Sequence, residues 1–141
     1  MKRVIALLTV IFCISSVYAM AETKTTTVSD LETLVYETEE IKFNNFTITE
    51  GNNMFTDPEG YNHIKVQVSG RNKKSTSYYV QLQIVGFGTN GKVLWAMKAA
   101  PTMGILSENS LEQLSGTAWV RPETLQNTEK LLIIFAGDFL N

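Results

Sequence analysis

Cysteine and histidine are almost missing from this chain, which holds one of each, Cys13 and His63, in 141 residues. A structural zinc site draws several ligands from these two residue types, so none can be built from His and Cys here. Charge of one sign is also missing. Twelve basic residues stand against fourteen acidic, net −2, which gives no electrostatic reason to expect nucleic acid or an anionic membrane as partner. No Gly-rich phosphate loop precedes a helix: Gly86, Gly88 and Gly91 fall at a strand end and a hairpin. There is no G-x-S-x-G nucleophile elbow and no internal repeat. What remains is ordinary globular composition, 44% hydrophobic and 18% charged, which excludes disorder, collagen and coiled coil as the main state.

The one long apolar run stands at the N-terminus. Lys2 and Arg3 precede Val4 to Ile14, followed by a polar, small-residue stretch ending in Ala19-Met20-Ala21. Basic head, apolar middle and small-x-small end read as a secretory signal peptide over 1–21, with cleavage after Ala21 and a second acceptable site after Ala19. The run is about half of the ~20 residues a bilayer-spanning helix needs. Phe12 stands where a lipoprotein anchor on Cys13 needs a small residue. The expected mature chain is periplasmic or extracellular and carries no membrane insertion. It has no cysteine and keeps ten basic against fourteen acidic residues, net −4. With no disulfide its stability must come from its core.

Along the mature chain, 22–30 (ETKTTTVSD) is Thr-rich and without periodicity, a flexible lead-in. Ser29-Asp30-Leu31-Glu32 offers a capping box for a short helix, while Val35-Tyr36 equally suits a strand. A single domain is expected over 31–141. From Ile41 the period is two: Ile41 and Phe43, then Phe46 and Ile48, then Ile64, Val66 and Val68. Glu50 to Tyr61 is a dense cluster of turn residues. Tyr78 to Phe87 is the strongest strand, and Asn90-Gly91 turns it into Lys92 to Lys98, with positive φ tolerated at both turn positions. Leu111 to Val120 follows, and Leu131 to Phe135 is apolar enough for a strand covered on both faces. Six or seven strands and few helix signals indicate an all-β fold, a single antiparallel sandwich of immunoglobulin-like type.

Few residues offer chemistry. His63 has Asp57 or Asp138 as its formal acid partner. Glu50, Asp57 and Glu59, with Asn52 and Asn53, have the oxygen density of a calcium loop but not EF-hand spacing. A solvated acidic loop accounts for them as well, and no metal or cofactor is expected. Lys65, Arg71, Lys73 and Lys74 gather about one connection beside Tyr78 and Tyr79, which reads as a solvated hairpin tip whose lysines discourage edge pairing. Trp95 shares a phase with Val93 and Met97 and belongs to the core. Trp119 is out of phase with Leu114, Gly116, Ala118 and Val120: if that strand buries their face, Trp119 points the other way, either as an exposed platform or under a neighbouring loop. Trp119, Tyr61 and Tyr79 are the candidate contact residues.

Tyr79 to Leu94 (YVQLQIVGFGTNGKVL) resembles the FxLYD-type bacterial extracytoplasmic domain, in which an alternating strand ends in Leu-Tyr-Asp and turns through a Gly-Lys pair. Phe87 takes the place of the Tyr and Asn90-Gly91-Lys92 the turn, while Gly86 and Gly88 stand where that family prefers Leu and Asp. The resemblance covers about sixteen residues. It implies an immunoglobulin-like sandwich and transfers no site residues. The expectation is an exported, non-enzymatic module that acts by contact with a protein or cell-envelope partner. Two alternatives stay open: an inhibitor or immunity protein whose loop enters an envelope enzyme, and a binder of carbohydrate or another small ligand at an exposed aromatic.

Overall fold

The computed structural model describes residues 20–139. Nine strands follow one another: β1 (Met20–Thr26), β2 (Tyr36–Glu37), β3 (Ile41–Gly51), β4 (Asn62–Asn72), β5 (Tyr78–Phe87), β6 (Val93–Ala99), β7 (Ile105–Leu106), β8 (Leu111–Val120) and β9 (Lys130–Phe139). They form two antiparallel sheets. One has the order β1-β9-β5-β6 with β7 on the start of β5, and the other β2-β3-β4-β8. The expected antiparallel sandwich is what the chain forms. Among the described residues no helix is long and apolar enough to cross a membrane. The expected signal peptide lies, but for its last two residues, outside the described residues.

The strand periods place the core between the sheets. Phe43, Phe46, Ile64, Val66 and Val68 face Leu82, Ile84, Trp95, Leu131, Ile133 and Phe135, all buried. Phe135 stacks on Tyr36 with ring centroids 4.2 Å apart and meets Phe46 edge-on, the latter a geometry that ring quadrupoles favour. The core phase of β3 runs through odd residues to Phe43 and even residues from Phe46. A β-bulge absorbs this change between Asn44 and Thr47, where Asn45 takes a φ of 53°. Such a bulge inserts one residue and so returns the apolar side chains to the inner face.

Three expectations need correction. The lead-in expected over 22–30 is a strand through Thr26, since β1 pairs with β9 along its whole length. Threonine's β-branched side chain suits a strand. β9 is buried on both faces from Ile133 to Ala136 and needs a hydrogen-bonded neighbour on each edge. A polar edge strand meets that need without any hydrophobic period for a sequence reading to detect. At 31–36 both elements form, a single 3-10 turn at Leu31–Thr33 and then β2, but the capping box does not. Asp30 occupies the cap position without a side-chain bond to the helix, and its carboxylate instead accepts the Thr27 hydroxyl at 2.8 Å. In the β5–β6 hairpin only Gly91 has a positive φ, 69°. Gly88 C=O accepts Gly91 N–H at 2.9 Å and Asn90 Oδ1 accepts Lys92 N–H. The loop is therefore longer than the two-residue turn that would put both Asn90 and Gly91 at positive φ.

Trp95 is buried as expected and donates its indole N–H to the Thr128 hydroxyl at 2.9 Å. It lies opposite Gly86, where a Cβ would come within 2.3 Å of the indole nitrogen. The Trp95 ring takes the space that a side chain at position 86 would need.

Candidate functional site: one end of the outer face

In β4 the odd residues face away from the core, as do Trp119 and Thr117 in β8. The register sets Gly51, His63 and Trp119 side by side across β3, β4 and β8. One step further, Tyr61 and Arg121 continue the same face, and the Arg121 guanidinium lies 4.6 Å from the centre of the Tyr61 ring. Trp119 and Tyr61 therefore share one end of the sheet. Tyr79 does not join them. It stands at the start of β5, opposite Ile105, beside the far end of β4, roughly 25–30 Å away at ~3.3 Å per strand residue.

The connection from β3 to β4 folds over this end. Asp57 Oδ2 accepts the Asn53 N–H at 2.7 Å and bonds His63 Nδ1 at 2.6 Å. Asn53 C=O accepts the N–H groups of Thr56 and Asp57, and Asn53 Oδ1 accepts that of Phe55. Asn52 Nδ2 donates to Tyr61 C=O. The Asp57 side chain is only 4% exposed. Its carboxyl is held below the usual carboxylate range, chiefly by the His63 hydrogen bond. Burial opposes the shift, and the Asn53 N–H and Trp119 side chain add to it. Of the two acid partners open to His63, the fold supplies Asp57. Asp138 pairs with Tyr79 at the other end.

This bracing presents apolar residues to water. Met54 is 81% exposed, Phe55 90% and Trp119 62%. Leu111, Val35 and Met103 are exposed elsewhere, Met103 in a turn closed by the Gly104 N–H on Pro101 C=O. Met54 and Phe55 are the site residues that the sequence reading missed. The signal was present: an apolar pair inside a cluster of turn residues has no strand to bury it.

The carboxylates of the connection do not form a calcium set. Glu50 accepts Asn62 Nδ2 at 2.8 Å and the backbone N–H groups of Glu123 and Leu125 at 2.9 and 2.8 Å. It fastens the β8–β9 connection to the end of β3, while Asp57 serves His63. No group of three His, Cys, Asp or Glu residues that could hold a metal occurs among the described residues. Among those residues His63 Nε2 has no hydroxyl or thiol at hydrogen-bond distance.

No family model and no curated protein matches the chain. A search of solved structures finds an uncharacterised β-sandwich protein from Clostridium difficile 630. It is 10% identical, with a TM-score of 0.41, over 77% of this chain and 83% of that one.

Proposed function

We propose that this chain is an exported, non-enzymatic module that docks onto a protein of the cell envelope through the β3–β4 loop and Trp119. The observation that carries the reading is the exposure of Met54 and Phe55 on a loop whose backbone is already hydrogen-bonded. Exposed apolar side chains of this size forgo burial worth about 1.5–3 kcal/mol each. A braced loop loses little further entropy on binding, so that burial becomes available to a partner. A protruding Met-Phe tip beside a flat indole fits a concave, apolar cleft, the form an envelope enzyme inhibited by this protein would offer. Aromatic anchors of this kind dominate contact energies.

The test is affinity purification of the tagged full-length protein from its native cells, in parallel with a Met54→Ser, Phe55→Ser, Trp119→Ala variant of equal thermal stability. A stoichiometric envelope protein recovered with the wild type and lost with the variant supports the reading. Identical recovery with both would sink it.

The exposure of Trp119 on a polar sheet face also favours a second reading, a platform for a sugar ring. Quenching of tryptophan fluorescence by glycans, abolished in Trp119→Ala and retained in Phe55→Ser, distinguishes it from the protein-docking reading.

A further inference from the structure

At the other end of the same outer face, the register places Glu37, Lys42 and Arg71 in a row across β2, β3 and β4. Together with Asn72, Lys73 and Asn109 they line a cavity of about 380 Å³. The cavity has a built frame. Asn72 is fully buried, and its Nδ2 donates to the carbonyls of Thr76, Leu106 and Ser107 while its Oδ1 accepts the Lys74 N–H. Asn109, at a φ of 50°, donates its N–H to Lys74 C=O. These bonds fix both connections that bound the cavity.

Two cations, Lys42 and Lys73, pair with one carboxylate, and Arg71 stands beside Lys42 in the next strand. Glu37 Oε1 lies 2.6 Å from Lys73 Nζ and Oε2 lies 3.1 Å from Lys42 Nζ. The Arg71 guanidinium has no ion-pair partner among the described residues. Nearby, Lys74 pairs with Glu40 and adds no net charge. A local excess of two positive charges in a chain of net −2 is a concentrated field of the opposite sign.

We propose that this cavity binds a phosphate group. Arg71 would grip two of its oxygens with its planar fork, and the ammonium groups of Lys42 and Lys73 would be shared between phosphate and Glu37. A phosphate dianion balances the two excess charges, which a single carboxylate does not. The group can belong to a soluble phosphate ester or to an envelope lipid.

Inorganic phosphate titrated into ¹⁵N-labelled full-length protein at constant ionic strength tests this. The expected result is saturable shifts at the amides of Arg71, Asn72, Lys73 and Asn109. Arg71→Gln weakens binding by about tenfold, and Glu37→Gln tightens it by removing the competing carboxylate. Opposite signs from two exposed substitutions cannot come from a damaged fold. Unsaturable shifts, or the same change in both variants, would overturn the proposal. Cosedimentation with phosphatidic acid vesicles, against phosphatidylcholine vesicles, identifies the source. Binding lost in Arg71→Gln assigns the lipid. Phosphate binding without vesicle binding assigns a soluble ester, and the absence of both overturns the site.

Discussion

The two ends of the β2-β3-β4-β8 sheet share one backbone scaffold and opposite chemistries. At the His63 end, a nearly buried Asp57 holds a loop that exposes Met54 and Phe55. At the Arg71 end, a fully buried Asn72 holds two connections around exposed charges. Each end has an internal polar brace and a surface that the brace positions. The difference teaches that the brace and the contact surface are separable. The brace consists of satisfied hydrogen bonds, to backbone at the Asn72 end and also to the His63 and Trp119 side chains at the Asp57 end, whereas the side chains of Met54, Phe55 and Arg71 take no part in it.

That separation can be broken from either side. The largest expected effect is on the Arg71 end. Asn72→Ala takes a donor from the buried Leu106 carbonyl and from the partly exposed carbonyls of Thr76 and Ser107 and costs about 1–3 kcal/mol of folding stability, read as a lower midpoint in urea denaturation. Arg71→Gln at the same end leaves that midpoint unchanged within about 0.5 kcal/mol.

Next comes the His63 end. Phe55→Ser or Trp119→Ala is expected to weaken partner binding by about 2 kcal/mol or more, with little change in thermal midpoint for Phe55→Ser and a small fall for Trp119→Ala, whose side chain also bonds Asp57. A large loss of stability in either variant would show that the tip is structural.

A smaller effect separates the loop's brace from its tip. His63→Ala removes the largest cause of Asp57's lowered pKa. In that variant the Asp57 carboxyl is expected to titrate closer to the ordinary carboxylate range, and the Asn53 and Phe55 amides to lose hydrogen-exchange protection. In the wild type the folded value lies below the unfolded one. Asp57's contribution to stability is therefore complete above the usual carboxylate range and lost as the pH falls through its own lowered value. Carbon-detected NMR titration of Asp57 in both proteins checks the direction.

The smallest effect uses salt. Glu37 is held below the usual range mainly by hydrogen bonds from Lys73 and then Lys42, in an exposed setting. At about 1 M salt the Debye length falls to ~3 Å, so Glu37 is expected to drift back toward its ordinary value. Asp57, enclosed by its loop, moves less. Equal drift at both ends would remove the contrast between them.

Much of this was legible in the chain. The alternation in Ile64–Val68, Tyr78–Ile84 and Leu114–Val120 gave the inner face of each strand and set Trp119 on the other side of β8, but whether a loop covers it was open until the fold left it 62% exposed. The turn-rich 50–61 marked the loop. Less legible was β1, because a Thr-rich edge strand carries no apolar period. The partner of His63 stayed open between Asp57 and Asp138 because two carboxylates in sequence look alike until the strands are paired. The place of Tyr79 was also undecided, for a contact residue on β5 can stand at either end of the sandwich.

By itself, then, the sequence determined local matters: strand period, turn positions, which side chains prefer an apolar face, and the scarcity of histidine and cysteine. These follow from interactions within a few residues of one another. Only the tertiary structure decided that His63 meets Asp57, that Trp119 stands beside the braced Met54–Phe55 loop, and that Lys42, Arg71 and Lys73 line one cavity with Glu37. Those neighbours are fixed by the register of β3, β4 and β8. Shifting that register by one residue would turn each outer side chain inward, and burial of the alternating core face across all the strands at once is what holds it in place.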